Sequence, residues 1–300
     1  MDELCGILYI DKPCGMTSHD VVNRIRRLYG TKRVGHTGTL DPLATGLLTV
    51  MIGRAAKVAE LLVSDKKSYR ATLRLGLTTD SGDITGNVLT ESDAIPSEEA
   101  FRAVLPSFTG VIRQIPPMYS ALKVDGQKLV DLARKGIEIE RSAREIEIDG
   151  LSAEKIDEKH YTLDVSCSKG TYIRTLCEDI GQALGCGATM TALRRTSSGS
   201  ATLSRAYTLE QLEGMEMEER ILLLLPVEEL FGDCPSVCLP PFFEHLARNG
   251  LEIYQKKIGT HIEDGELVRL CGEKGFFALG RVKEYAEGSA IKPVKQIDIG

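Results

Sequence analysis

Tyr69-Arg70-Ala71-Thr72-Leu73-Arg74-Leu75 alternates apolar with polar residues, the period-two signature of a strand buried on one face. Upstream, Leu4 to Ile10 has the apolar density of a buried strand, and Leu47 to Ile52 repeats it. Between them Ser18 is placed to cap a helix with Asp20 in its first turn, and Val21, Val22, Ile25 and Leu28 mark its apolar stripe up to Gly30. A further helix is expected over Gly53 to Val63, a polar loop over Thr78 to Gly86, and a helix from Ser97. Strands are expected over Tyr119–Lys123, Ile137–Asp149 and Tyr161–Cys167, a short helix over Gln127–Lys135, and a helix capped by Thr171 running to Leu184. Strands and helices mix without a βαβ rhythm. The expected class is therefore α+β: a mixed, largely antiparallel sheet with flanking helices. Pro226, Pro235, Pro240 and Pro241 cluster where a boundary is expected, and the tail beyond them reads as a small β-rich module.

The 300 residues suit about two domains. Hydrophobic residues at 42% and charged residues at 27% exclude a wholly disordered, collagen-like or coiled-coil chain. No apolar run approaches the roughly 20 residues of a membrane span. The acidic start Met1-Asp2-Glu3 lacks the basic region of a secretory signal. Net charge is −6, but residues 1–80 carry 12 basic against 8 acidic side chains, a local excess that suits an anion site. The eight cysteines form no C-x-x-C pair and read as reduced thiols of a cytoplasmic protein, with no metal expected.

The most distinctive stretch is Gly35-His36-Thr37-Gly38-Thr39-Leu40-Asp41-Pro42-Leu43-Ala44-Thr45-Gly46. Its glycines permit positive φ and close backbone approach. A single carboxylate, Asp41, stands before Pro42, which biases it toward an extended conformation. The order of residues is not that of a phosphate-cradling P-loop.

This loop resembles the catalytic motif of the tRNA pseudouridine-55 synthases of the TruB type. Four other stretches resemble that family in the same order: Asp11-Lys12-Pro13-x-Gly15-x-Thr17-Ser18-His19-Asp20, Lys67-x-Tyr69, Gly170-Thr171-Tyr172-Ile173-Arg174, and Leu193-Arg194-Arg195-Thr196 with Gly199. The matches span residues 5–200. Ser200-Ala201 and Thr85 depart from the family's usual residues.

The resemblance implies isomerisation of a uridine in the TΨC loop, position 55 of the tRNA, to pseudouridine. The base is flipped out, its N1–C1′ bond broken, and C5 joined to C1′. No cofactor is implied. Asp41 is assigned the catalytic carboxylate, acting at C1′ or at the C2′ proton; both routes stay open. Arg174 is assigned its cationic partner. Tyr69 is assigned stacking on the uracil with possible help at C5, Tyr172 and Leu193 the pocket wall, and His36 the space left by the flipped nucleotide. Lys12, Arg33, Lys67 and Arg195 are expected on the RNA backbone. The domains implied are a catalytic unit over 1–230, with a thumb-like insertion at about 118–150, and a PUA-like RNA-binding module over 238–300. The implied partner is tRNA, with no membrane and no obligatory protein partner, and a monomer is expected. A tRNA-folding module without required catalysis is the alternative. A carboxylate-dependent glycoside hydrolase fits less well, because no second positioned acid is apparent.

Overall fold

The computed structural model describes residues 4–61, 66–120, 122–124 and 126–297. Strand β1 (Gly6–Lys12) leads to helix α1 (Ser18–Leu28), then β2 (Val34–Thr37) and β3 (Thr45–Ile52). β4 (Lys67–Leu75), the short hairpin β5 (Leu77–Thr79) and β6 (Val88–Glu91), α2 (Glu98–Val104) and β7 (Gly110–Gln114) follow. A small hairpin, β8 (Lys123–Val124) and β9 (Gln127–Lys128), precedes α3 (Leu129–Ala133). β10 (Arg144–Lys155), β11 (His160–Cys167), α4 (Ile173–Ala183), β12 (Ala188–Ser198) and β13 (Ala201–Thr202) complete the large sheet. Its main path runs β1-β3-β12-β4-β11-β10-β7. All neighbours on that path are antiparallel except β12 with β3, which pair in parallel at Arg194–Thr45 and Arg195–Gly46. The fold is thus α+β with a mixed, largely antiparallel sheet.

After α5 (Leu209–Glu213) and α6 (Met217–Leu222), the chain enters β14 (Ser236–Cys238), α7 (Pro241–Arg248), β15 (Ile253–Tyr254), α8 (Gln255–Ile258), β16 (Leu267–Gly272), β17 (Gly275–Tyr285) and β18 (Gly288–Gln296). The five strands form a second sheet. This sheet packs on one face of the β1–β3 end of the first. Ile7, Tyr9, Leu47 and Met51 share an apolar cluster with Val227, Phe231, Leu279 and Ile297. Leu8, Ile10, Leu48 and Val50 point the other way, into the core beneath α1 and α4. Burial on both faces explains why β1 and β3 are continuously apolar while β4 alternates.

Several sequence expectations need correction. Thr17, not Ser18, caps α1, in a reciprocal capping box with Asp20; Ser18 turns inward and exchanges hydrogen bonds with the Leu40 main chain. Residues 35–37 are strand rather than loop, because β3 offers them an antiparallel partner. The helix expected over Gly53–Val63 is a 3-10 helix over Gly53–Leu61, and Val63 lies outside the described residues. Of the strand expected over Tyr119–Lys123 only Lys123 is in a strand, and Ala121 lies outside the described residues. The helix expected over Gln127–Lys135 shrinks to α3, since Gln127 and Lys128 pair in the hairpin. β10 starts at Arg144, where Gln114 gives it a partner, and not at Ile137. The N-cap of α4 is Tyr172; the Thr171 hydroxyl instead donates to the Ser168 carbonyl.

Candidate active site

The Asp41 loop is built against the turn that follows β1. Gly15 N–H donates to the Pro42 carbonyl at 2.8 Å, and the Cys14 thiol donates to that of Leu43. Lys12 is fully buried, and its ammonium donates to the carbonyls of Pro13, Met16 and Pro42. Burial pulls its pKa below the usual lysine value, partly offset by Cys14, Asp41 and Asp20. On the other side, the Arg195 guanidinium donates to the carbonyls of Leu47 and Gly38 and is only 2% exposed. Lys12 and Arg195 are therefore corrected: neither has a charge free for a phosphate, and both brace the loop from inside. Arg33 is exposed and Lys67 half-buried, on the surface near the loop.

Two glycines let the loop fit this frame. Gly38 has φ +65° and lies against the Arg195 guanidinium. Gly46 has φ +96°, and a Cβ there would sit 2.3 Å from the Arg195 carbonyl oxygen. The parallel β3–β12 pairing thus depends on a residue without a side chain.

The site forms where this loop meets the first turn of α4. Arg174 Nη2 lies 3.0 Å from Asp41 Oδ2. Nη2 also donates to the Tyr119 carbonyl at 2.6 Å, and Nη1 to the Ser81 carbonyl at 2.9 Å. Asp83 Oδ2 lies 3.8 Å from Nη1. Asp83 is itself buried and accepts through Oδ1 from the Ser81 hydroxyl and from the N–H and hydroxyl of Thr85. Thr85, the departure noted in the sequence, therefore orients a carboxylate behind Arg174. Sequence reasoning missed Asp83, Tyr119 and the Ser81 carbonyl, because their roles arise from long-range contacts that no local motif announces.

Beside the ion pair lies a cavity of about 170 Å³, lined by Asp41, Tyr69, Tyr172, Arg174 and Leu193 together with Thr39, Leu40, Tyr119, Ser120, Thr171 and Ile173. Drug-sized ligands fill about 300–1,000 Å³, so this one is scaled to a single nucleobase. Asp41 is the one carboxylate among these lining residues. Asp83 faces an adjoining cavity of about 310 Å³. Among the described residues the Tyr172 hydroxyl makes no hydrogen bond to Asp41. The Leu193 carbonyl accepts from the Thr45 hydroxyl at 3.3 Å.

Burial pushes the Tyr69 phenol above its ordinary value, with the Arg195 guanidinium opposing the shift. Tyr69 is therefore protonated at neutral pH, which suits stacking better than proton abstraction. His36 lies in β2 and does not line the base-sized cavity. Its Nδ1 is buried without a partner. Desolvation, then the nearby Arg195 and His19, lower its pKa and keep the ring neutral. No described helix is long and apolar enough to cross a membrane.

A carboxylate–guanidinium pair thus stands beside a cavity of nucleobase size, on a large mixed sheet. The family model described as "TruB family pseudouridylate synthase (N terminal domain)" matches residues 26–173. The model described as "tRNA pseudouridylate synthase B C-terminal domain" matches residues 174–231. The chain belongs to the TruB family of pseudouridylate synthases, enzymes that isomerise uridine in RNA. It is 44% identical over 280 residues to the tRNA pseudouridine synthase B of Alkaliphilus oremlandii (strain OhILAs), covering 93% of each chain. It is 44% identical over 292 residues to that of Azoarcus sp. (strain BH72), covering 97% of this chain and 94% of the relative. Among solved structures, it is similar to a chain in the crystal structure of a Cbf5-Nop10-Gar1 complex. The TM-score there is 0.75 at 28% identity, covering 97% of this chain and 84% of the other.

Proposed function

We propose that the protein isomerises the uridine at position 55, in the TΨC loop of tRNA. The flipped base enters the cavity beside Asp41. Its N1–C1′ bond breaks, the ring turns, and C5 bonds to C1′. The C5 proton leaves to solvent and N1 gains one, so atoms balance without a redox partner. Asp41 acts at the sugar, either on C1′ or on the C2′ proton. Arg174 holds that carboxylate through a guanidinium that also donates to the Ser81 and Tyr119 carbonyls. Tyr69 stacks on the uracil, Tyr172 and Leu193 wall the pocket, and His36 takes the space that the nucleotide vacates.

The catalytic unit in this reading covers residues 1–230. Its thumb-like insertion at about 118–150 and a PUA-like module at 238–300 grip the folded RNA by shape and phosphates. Arg33 and Lys67 supply backbone contacts. The protein works as a cytoplasmic monomer without an obligatory protein partner.

The observation that supports this reading best is the 3.0 Å contact between Asp41 and Arg174 at the mouth of a base-sized cavity. The test is tritium release from a tRNA transcript carrying 5-tritiated uridine. Asp41→Asn is expected to lower release by about 10²–10⁴-fold or more while still binding tRNA. Normal turnover by that variant would refute Asp41's role. Tight binding with no release by the unmodified protein would favour the tRNA-folding reading instead.

A further inference from the structure

Gln114 ends β7, the edge strand of the large sheet, at the root of the 118–150 insertion. It occupies an inward position, where an alternating strand normally carries an apolar side chain, yet it is only 2% exposed. A buried carboxamide must satisfy both its donor and its acceptor. Gln114 does so on one residue. Tyr172 N–H donates to its Oε1 at 2.8 Å, and its Nε2 donates to the Tyr172 carbonyl at 3.0 Å.

Tyr172 is the N-cap of α4 and has no side-chain cap of its own. Its carbonyl also accepts from the Leu176 N–H at 3.0 Å, the first bond of the helix, so the tie at its N–H is the one that only Gln114 supplies. Two bonds to one planar amide fix both position and tilt. The Tyr172 ring lines the base-sized cavity, and Arg174 follows two residues later in the first helical turn. Gln114 does not line that cavity, so it touches neither base nor sugar.

We propose that Gln114 is a positioning residue for the isomerisation: its two-point grip on the Tyr172 main chain sets where the Tyr172 ring and the Arg174 guanidinium stand relative to Asp41. This rests on the reading of the cavity as the uridine site. A displacement of about 1 Å at a reacting group can cost about 10²-fold in rate. The effect therefore belongs in the chemical step and not in RNA affinity.

The test compares the unmodified protein with Gln114→Leu and Gln114→Glu, in single-turnover pseudouridine formation and in tRNA binding, with folding checked by circular dichroism. Gln114→Leu keeps bulk and loses both bonds. It is expected to lower the rate at saturating tRNA by about 10–100-fold, with little change in Kd. Gln114→Glu separates positioning from bulk stability. A protonated carboxyl can accept from the Tyr172 N–H and donate to its carbonyl, as the amide does, whereas a carboxylate can only accept. Burial raises the pKa of the introduced acid. The rate of Gln114→Glu relative to the unmodified protein is therefore expected to recover as pH falls from about 8.5 to about 5.5.

A flat ratio across that range with a folded protein would overturn the proposal. So would Gln114→Leu weakening Kd without changing the saturated rate, or unfolding of both variants, which would make Gln114 a stability element. Absence of product from the unmodified protein would instead count against the reading of the site itself.

Discussion

Arg174 and Asp41 meet at 3.0 Å, but the arginine side chain is 6% exposed and the aspartate side chain 43%. The cation is built into the protein and the anion is left open to the cleft. The Arg174 guanidinium is held by two carbonyls and backed by Asp83, whereas Asp41 is fixed through the main chain of its braced loop. The Asp41 carboxylate is thus reachable from the cleft while the Arg174 side chain is not.

Replacing Arg174 tests this division. Arg174→Met strands the buried Asp83 and leaves the Ser81 and Tyr119 carbonyls without their donor. A loss of about 3–5 kcal/mol is expected in urea denaturation. Arg174→Lys keeps the charge, but one ammonium does not span the same acceptors. It is expected to remain folded and to lose about 10²-fold or more in single-turnover rate.

Salt dependence of tRNA binding separates loop braces from phosphate contacts. Arg33→Gln and Lys67→Gln are each expected to reduce the slope of log K against log salt by about 0.7–0.9. Lys12→Met is expected to leave that slope unchanged and to lower stability by about 1–3 kcal/mol, because carbonyls in the buried turn lose their donor. A slope that fell with Lys12→Met would contradict the buried geometry.

Gly46→Ala drives a methyl group against the Arg195 main chain and forces an alanine to positive φ. The expected cost is about 2–4 kcal/mol in thermal or chemical denaturation. An alanine variant as stable as its parent would show that β3 and β12 shift apart easily.

His36 gives stability a pH dependence with a definite sign. Its pKa in the folded protein lies below the ordinary 6.5. Below pH 6.5 the unfolded chain therefore takes up a proton that the folded one refuses. The contribution is fully present above that value and is lost as pH falls through the folded pKa. In RNA-free melting, His36→Gln is expected to lose less stability than its parent over that window. Parallel curves would remove His36 as the cause.

The Asp41 loop was legible in the sequence because its glycines, its Asp-Pro step and its threonines lie within twelve residues. The strand that carries Tyr69 was legible because a strand covered on one face alternates, but alternation alone marks Tyr69 as a core residue, and its site role came only from the resemblance of Lys67-x-Tyr69. Other residues were harder to read. Lys12 and Arg195 look like surface cations until distant carbonyls enclose them. Thr171 has the chemistry of a helix cap, but a closer carbonyl takes its hydroxyl. Asp83 and Gln114 sit 91 and 58 positions from their partners Arg174 and Tyr172, so their roles emerge only when β7, α4 and the turn after β5 converge.

The apolar seam joining Ile7, Tyr9 and Met51 to Phe231, Leu279 and Ile297 has an architectural corollary. Removing the tail would lay bare an oily scar on β1 and β3, the strands that flank the Asp41 loop and its neighbouring turn. The tail is thus a keel: it cannot be shed without exposing the apolar side chains it now covers.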